Sequence, residues 1–104
     1  MEKQAITSFE WDAGNEAKCQ KHGVSIAALE SAFYRTMSIF PDPNHSLGEE
    51  RFIGIGKTDE ERNVFVAFTL RYRDGETFIR PISARYMHKK EVEYYEKATT
   101  HPNN

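Results

Sequence analysis

The stretch NVFVAFTLRYRDGETFIRPISARY, from Asn63 to Tyr86, reads as two strands joined by a tight turn. Strict alternation puts Val64, Val66, Phe68, Leu70 and Tyr72 on one side, and Phe65, Ala67, Thr69, Arg71 and Arg73 on the other. That period of two marks a half-buried strand. Arg71 therefore projects from the less apolar face. Asp74, Gly75 and Glu76 form a hairpin signal, because an Asp-Gly pair accepts the positive φ angles that a two-residue turn requires. Pro81 has no N–H for a ladder, so the second strand, TFIRPISARY, is expected either to lie at an edge there or to carry a bulge. Beyond the proline, Ser83 and Arg85 share a face, and Ile82 and Ala84 are split between faces.

Upstream, RFIGIGK alternates too, with Ile53 and Ile55 on one face and Gly54 and Gly56 on the other, where the missing side chains leave room for a helix or ligand. MSIF, from Met37 to Phe40, reads as a strand, and PDPNHSLGEE after it as a loop. Ser25 is placed to cap a helix from Ile26 to Tyr34, with Ile26, Leu29 and Phe33 as its inner stripe and Val24 stapled onto Leu29. Phe9 to Trp11 is a short aromatic strand. Asp12 then caps a helix from Ala13 to His22, with a thin apolar face of Ala13, Ala17 and Cys19 and with Gly23 as its stop. KKEVEYYEKA makes a last helix with Val92, Tyr95 and Ala98 inward, and THPNN is a frayed tail. The order β-α-α-β-β-β-β-α describes a small α+β fold, helices packed on an antiparallel sheet.

A chain of 104 residues suits a single domain spanning 1–104, with a core from about 9 to 98 and short flexible termini. One cysteine, Cys19, excludes an internal disulfide and any multi-cysteine zinc site, and its position within a helix suits a small hydrophobe. His22, His45, His88 and His101 are scattered without metal-ligand spacing, and no Gly-rich phosphate loop is present, so no metal and no cofactor is expected. Without a signal segment or an apolar run of about 20 residues, the expectation is a cytoplasmic protein with no membrane contact.

With 14 basic and 16 acidic residues the net charge is −2, which argues against a wholly basic surface that wraps nucleic acid. The distribution is uneven. From Arg71 to Lys90 six cations (Arg71, Arg73, Arg80, Arg85, Lys89, Lys90) face two anions (Asp74, Glu76), while acids crowd at Glu49–Glu50 and Asp59–Glu61. Such a patch suits a phosphate backbone, most of all RNA. Cleaving RNA needs a base for the 2′-hydroxyl, in-line positioning, and cations where charge develops, and the guanidinium fork is suited to the last. Arg71 and Arg85 sit on hairpin-connected strands and are expected to converge on one face. Tyr86 is placed to stack a base, Lys89 and Lys90 to hold neighbouring phosphates, and His22, His88 and Glu91 to carry protons. Plainer readings stand beside these. Arg71 pairs with Glu76 across the hairpin, Lys89 is solvated beside Glu93, and Lys21 and His22 compensate a helix dipole.

FEWD, KHGVS, GEERFIGIG, and ISAR followed by a basic KKE helix occur in that order. Together, from Phe9 to about Lys97, they resemble the BrnT family of bacterial type II toxins. The resemblance implies a RelE-like fold and a metal-independent ribonuclease that cleaves mRNA and blocks translation. It implies a partner, the ribbon-helix-helix antitoxin BrnA, through which alone operator DNA is reached. Carried over by motif, it makes Lys21 and His22 of KHG, Arg51 of GEER, Arg71 closing its strand, and Arg85 of ISAR the functional positions. Arg71, Arg85, His22 and Arg51 are then the catalytic candidates, and Lys21, Tyr86, Lys89 and Lys90 the RNA contacts. An alternative from another class is a noncatalytic binding module that acts as co-repressor with its antitoxin. The chain departs from the family in two places: Lys18 and Cys19 replace an asparagine ahead of KHG, and YMHKKE replaces an A-T/S-R-x-E segment after ISAR.

Overall fold

A computed structural model describes residues 6–43 and 48–100. Its elements are β1 (Ser8–Phe9), α1 (Ala13–Gln20), α2 (Ile26–Phe33), β2 (Met37–Pro41), β3 (Arg51–Lys57), β4 (Asn63–Arg73), β5 (Glu76–Tyr86) and α3 (Lys89–Thr100). They form an α+β fold with one sheet in the order β1-β5-β4-β3-β2, antiparallel except that β1 runs parallel to β5. The expected element order is the observed one.

The central hairpin turns through Asp74 and Gly75, with φ of 50° and 80°. Both lie in the left-handed region that suits the twist of the flanking strands, and glycine adopts it without a Cβ penalty. Pro81 meets both expectations at once. The register steps from Ala67↔Ser83 to Phe68↔Pro81, so Ile82 is the extra residue of a bulge. Meanwhile β1 ends opposite Ile79, so β5 is an edge from Pro81 onward. Helix α1 occupies the place a longer β1 would have taken. The Asn15 amide donates to the carbonyl oxygens of Glu10 (3.0 Å) and Pro81 (2.8 Å), giving the exposed strand the hydrogen bond it lacks.

The core lies on one side of the sheet, where Cys19, Val24, Leu29 and Ala32 of the helical segment meet Val64, Val66, Phe68, Ile79 and Ala84. Ser25 Oγ accepts from the Ala28 N–H at 3.0 Å, and Val24 and Leu29 are both fully buried, as a cap and staple require. Several expectations need correction. The apolar face of α1 is Cys19 with Asn15, whereas Ala13 and Ala17 are exposed. The first strand stops at Phe9, because Trp11 turns away and donates its indole N–H to Glu30 at 2.8 Å. The close neighbour of Gly54 is Met37 of β2, whose sulfur lies 2.5 Å from where a Cβ would stand. Helix α3 crosses the opposite side of the sheet, where the Tyr95 hydroxyl donates to Ser38 Oγ at 2.5 Å, and Ala98 is exposed. Asn44, His45 and the tail from His101 lie outside the described residues. Among the described residues no helix is long and apolar enough to cross a membrane.

Candidate nucleic-acid interface

The side of the sheet away from the core carries most of the sequence-derived candidates, and register fixes their neighbours. Arg51 on β3 pairs with Thr69 on β4, and Thr69 pairs with Arg80 on β5. Directly paired residues share a face, so these three form one row across the sheet. Arg71 and Arg73 follow along β4 toward the hairpin. Beside the row lies a hollow of about 340 Å³ whose lining includes four cations, Lys18, Arg51, Arg71 and Arg80, and one carboxylate, Glu49.

Carboxylates hold these guanidinium groups in place. Glu10, just beyond β1 and only 16% exposed at its side chain, meets three of them: Arg80 at 3.1 Å, Arg71 at 3.7 Å, and Arg73. Arg71 Nε also donates to Glu49 at 2.9 Å, and Arg80 reaches Asp12 at 2.9 Å. The Asp12 carboxyl is held below its ordinary range, first by the Asn15 backbone N–H it accepts and then by Arg80. The expected Arg71–Glu76 pair is replaced by these contacts, because Glu76 stands opposite Arg73 in the register.

Lys18 brings α1 to the hollow. Lys21 and His22 lie three and four residues farther along the same helical path, hence on the same stripe one turn on, and both are exposed. Arg51 and Arg71 thus meet at the hollow, whereas Lys21 and His22 stand beyond Lys18 on α1 and are not part of its lining.

Arg85 does not join them. Counting outward from the turn pairs Arg71 with Phe78 and Arg85 with Phe65, six residues apart along β4. At about 3.3 Å per residue that is roughly 20 Å on the same face. Arg85 instead makes a bidentate pair with Glu91 of α3 (2.8 and 2.9 Å), and its guanidinium lies 4.8 Å over the Phe65 ring. Glu91 also accepts the His88 backbone N–H at 2.8 Å, closing the first turn of α3. The Arg85 guanidinium, followed by that N–H, holds the Glu91 carboxyl down to about 2, which makes it a weak proton acceptor. Tyr86 pairs with Val64 and so turns to the core side, where Arg62 covers one face of its ring at 3.5 Å. Lys89 and Lys90 stand exposed at the N-terminus of α3, the end where a helix dipole disfavours cations.

Cys19 is inert by position: it is 1% exposed, and burial pushes its thiol up to about 11. Sequence reading missed Glu10, Glu49, Arg80 and Lys18. Arg80 carried a usable signal, being the last face-matched residue before Pro81. Glu10 carried none, because its contacts come from the parallel pairing of β1 with a strand 70 residues away.

Fold and face together define a small α+β protein that gathers cations on one side of a sheet. The family model described as "Ribonuclease toxin, BrnT, of type II toxin-antitoxin system" matches residues 11–91, and the chain belongs to that family. Toxins of this type are partnered by an antitoxin. Among curated proteins, none matches this chain.

Proposed function

We propose that this chain is an endoribonuclease that cleaves mRNA without a metal and is neutralised by a BrnA-type ribbon-helix-helix antitoxin. The scissile phosphate sits in the hollow lined by Arg51, Arg71, Arg80 and Lys18. The observation that carries this reading is the cationic hollow lying inside a matched ribonuclease-toxin region. There, guanidinium forks stand where a phosphorane would develop its extra charge, the task a metal performs in other nucleases. His22, one turn beyond Lys18, supplies an imidazole, the side chain best suited to exchange a proton near neutral pH. Lys21, Lys89 and Lys90 hold flanking phosphates, and Arg85 acts chiefly through Glu91, setting the start of α3. Operator DNA is reached through the antitoxin, and the chain works in the cytoplasm.

The test is incubation of purified chain with an mRNA in excess chelator, alongside Arg51→Ala with Arg71→Ala. Cutting that survives the chelator and falls about 100-fold or more in the double variant supports the reading. RNA left whole by the unmodified chain, with operator repression retained in complex with the antitoxin, establishes the noncatalytic module instead.

A further inference from the structure

The core side of the sheet is unfinished. Helices α1 and α2 cover Val64 and Val66, but toward the hairpin Phe52, Leu70 and Ile79 border an open trough of about 790 Å³. It runs from Ile39 on β2, one edge strand, to Ile6 beside β1, the other. Crossing five strands means four gaps of about 4.8 Å, or roughly 19 Å. Its rim leaves Tyr34, Ile39 and Ile6 exposed by 78%, 54% and 44%.

Charge decides what fits. Among the described residues, the one charged side chain in the lining is Arg35, already bound to Glu61 at 3.0 Å and to the Thr58 carbonyl. An RNA backbone finds no cation to spare there. The β2 edge, MSIFP, also carries no charged residue, although exposed edge strands are ordinarily guarded by charge. A second copy fits badly, since a two-fold contact sets hollow against hollow and traps a void. Filling the trough takes a convex, apolar ridge. An α-helix has that shape, about 10–12 Å across, and 19 Å corresponds to about 13 residues at 1.5 Å each.

We infer that the trough seats an amphipathic helix of the antitoxin, on the side of the sheet opposite the arginines. This rests on the toxin reading above, which supplies the partner. The helix lays its apolar stripe across Phe52, Leu70 and Ile79, completing the helical layer that α1 and α2 begin. Anchoring of the partner is thereby separated from the phosphate-binding face.

The experiment is calorimetric titration of the chain with the protein encoded by the adjacent reading frame. It compares unmodified chain, Tyr34→Glu with Ile39→Glu, and Arg51→Ala with Arg71→Ala. Both trough substitutions are at exposed side chains, and a thermal melt with RNA cutting confirms that the variant is folded; Tyr34→Ser with Ile39→Ser serves if it is not. The expected result is a loss of affinity of about 30-fold or more for the trough variant and about threefold or less for the arginine variant. Equal affinity of the trough variant and the unmodified chain overturns the inference and leaves the toxin reading standing. Failure of the unmodified chain to bind overturns both. A dimer that the trough variant turns into a monomer, at unchanged partner affinity, assigns the trough to a second copy and also overturns it.

Discussion

Two ends of one sheet face treat arginine differently. At the α3 end, Arg85 has a carboxylate of its own, gripped by both forks of the guanidinium. At the hairpin end, Arg71, Arg73 and Arg80 share Glu10, with Glu49 and Asp12 as further partners, and Lys18 and Arg51 beside the hollow bring the cations to five against those three carboxylates. A private bidentate pair neutralises its cation and fixes a joint. A shared carboxylate orients several cations and leaves positive potential for an incoming anion. Position on a face therefore does not by itself assign an arginine to the proposed site; the charges gathered around it have to be counted as well.

The sharpest way to break this contrast is to delete one arginine from each end. Arg71→Ala is expected to slow RNA cutting by about 100- to 1000-fold. Arg85→Ala is expected to slow it by no more than about tenfold while lowering the melting temperature. Cleavage rates and melts of both variants check this, and the reverse order would move the site to the α3 end. A smaller effect belongs to the flanking lysines. Lys89→Ala with Lys90→Ala should reduce the slope of log affinity against log salt by about 1.4, at about 0.7 per single-strand phosphate contact. Removing Glu49 should act in the other direction: Glu49→Gln releases Arg71 from one carboxylate and is expected to tighten RNA binding by about two- to fivefold in a filter-binding titration.

The smallest effect is on stability and separates the ends by pH. The Glu91 carboxyl is held at about 2 in the folded chain against an ordinary 4.5. Its pKa is depressed by folding, so its contribution is present above the ordinary value and is lost as pH falls from about 4.5 toward about 2. Melts across that window should show Glu91→Gln flattening the acid side of the profile, with little change near neutrality in its slope. A profile identical to that of the unmodified chain would mean that the Arg85 clip does not hold in solution.

Much of the fold was legible because it rests on local chemistry. Alternation from Val64 to Tyr72 and the Asp74–Gly75 turn fix the hairpin, Asp12 and Ser25 cap two helices, and Pro81 announces a bulge or an edge. The site was legible in part. Face assignment put Arg71 and Arg85 on one side, but convergence required counting from the turn, and that count separates them. Tyr86 follows the same rule, since the residue after a face-matched Arg85 turns to the core. What stayed hidden is long-range and polar. Asn15 is invisible to hydrophobic periodicity, because its burial is explained by a carbonyl at Pro81, 66 residues away. Glu10 gains its role only when β1 docks beside β5.

The most direct test watches the arginines themselves. In an NMR titration of the chain with a 2′-O-methyl RNA, which binds without being cut, the side-chain Nε–H signals report each guanidinium separately. Those of Arg51, Arg71 and Arg80 are expected to shift while that of Arg85 keeps its free-state position. A shift at Arg85 with the other three unmoved would contradict it.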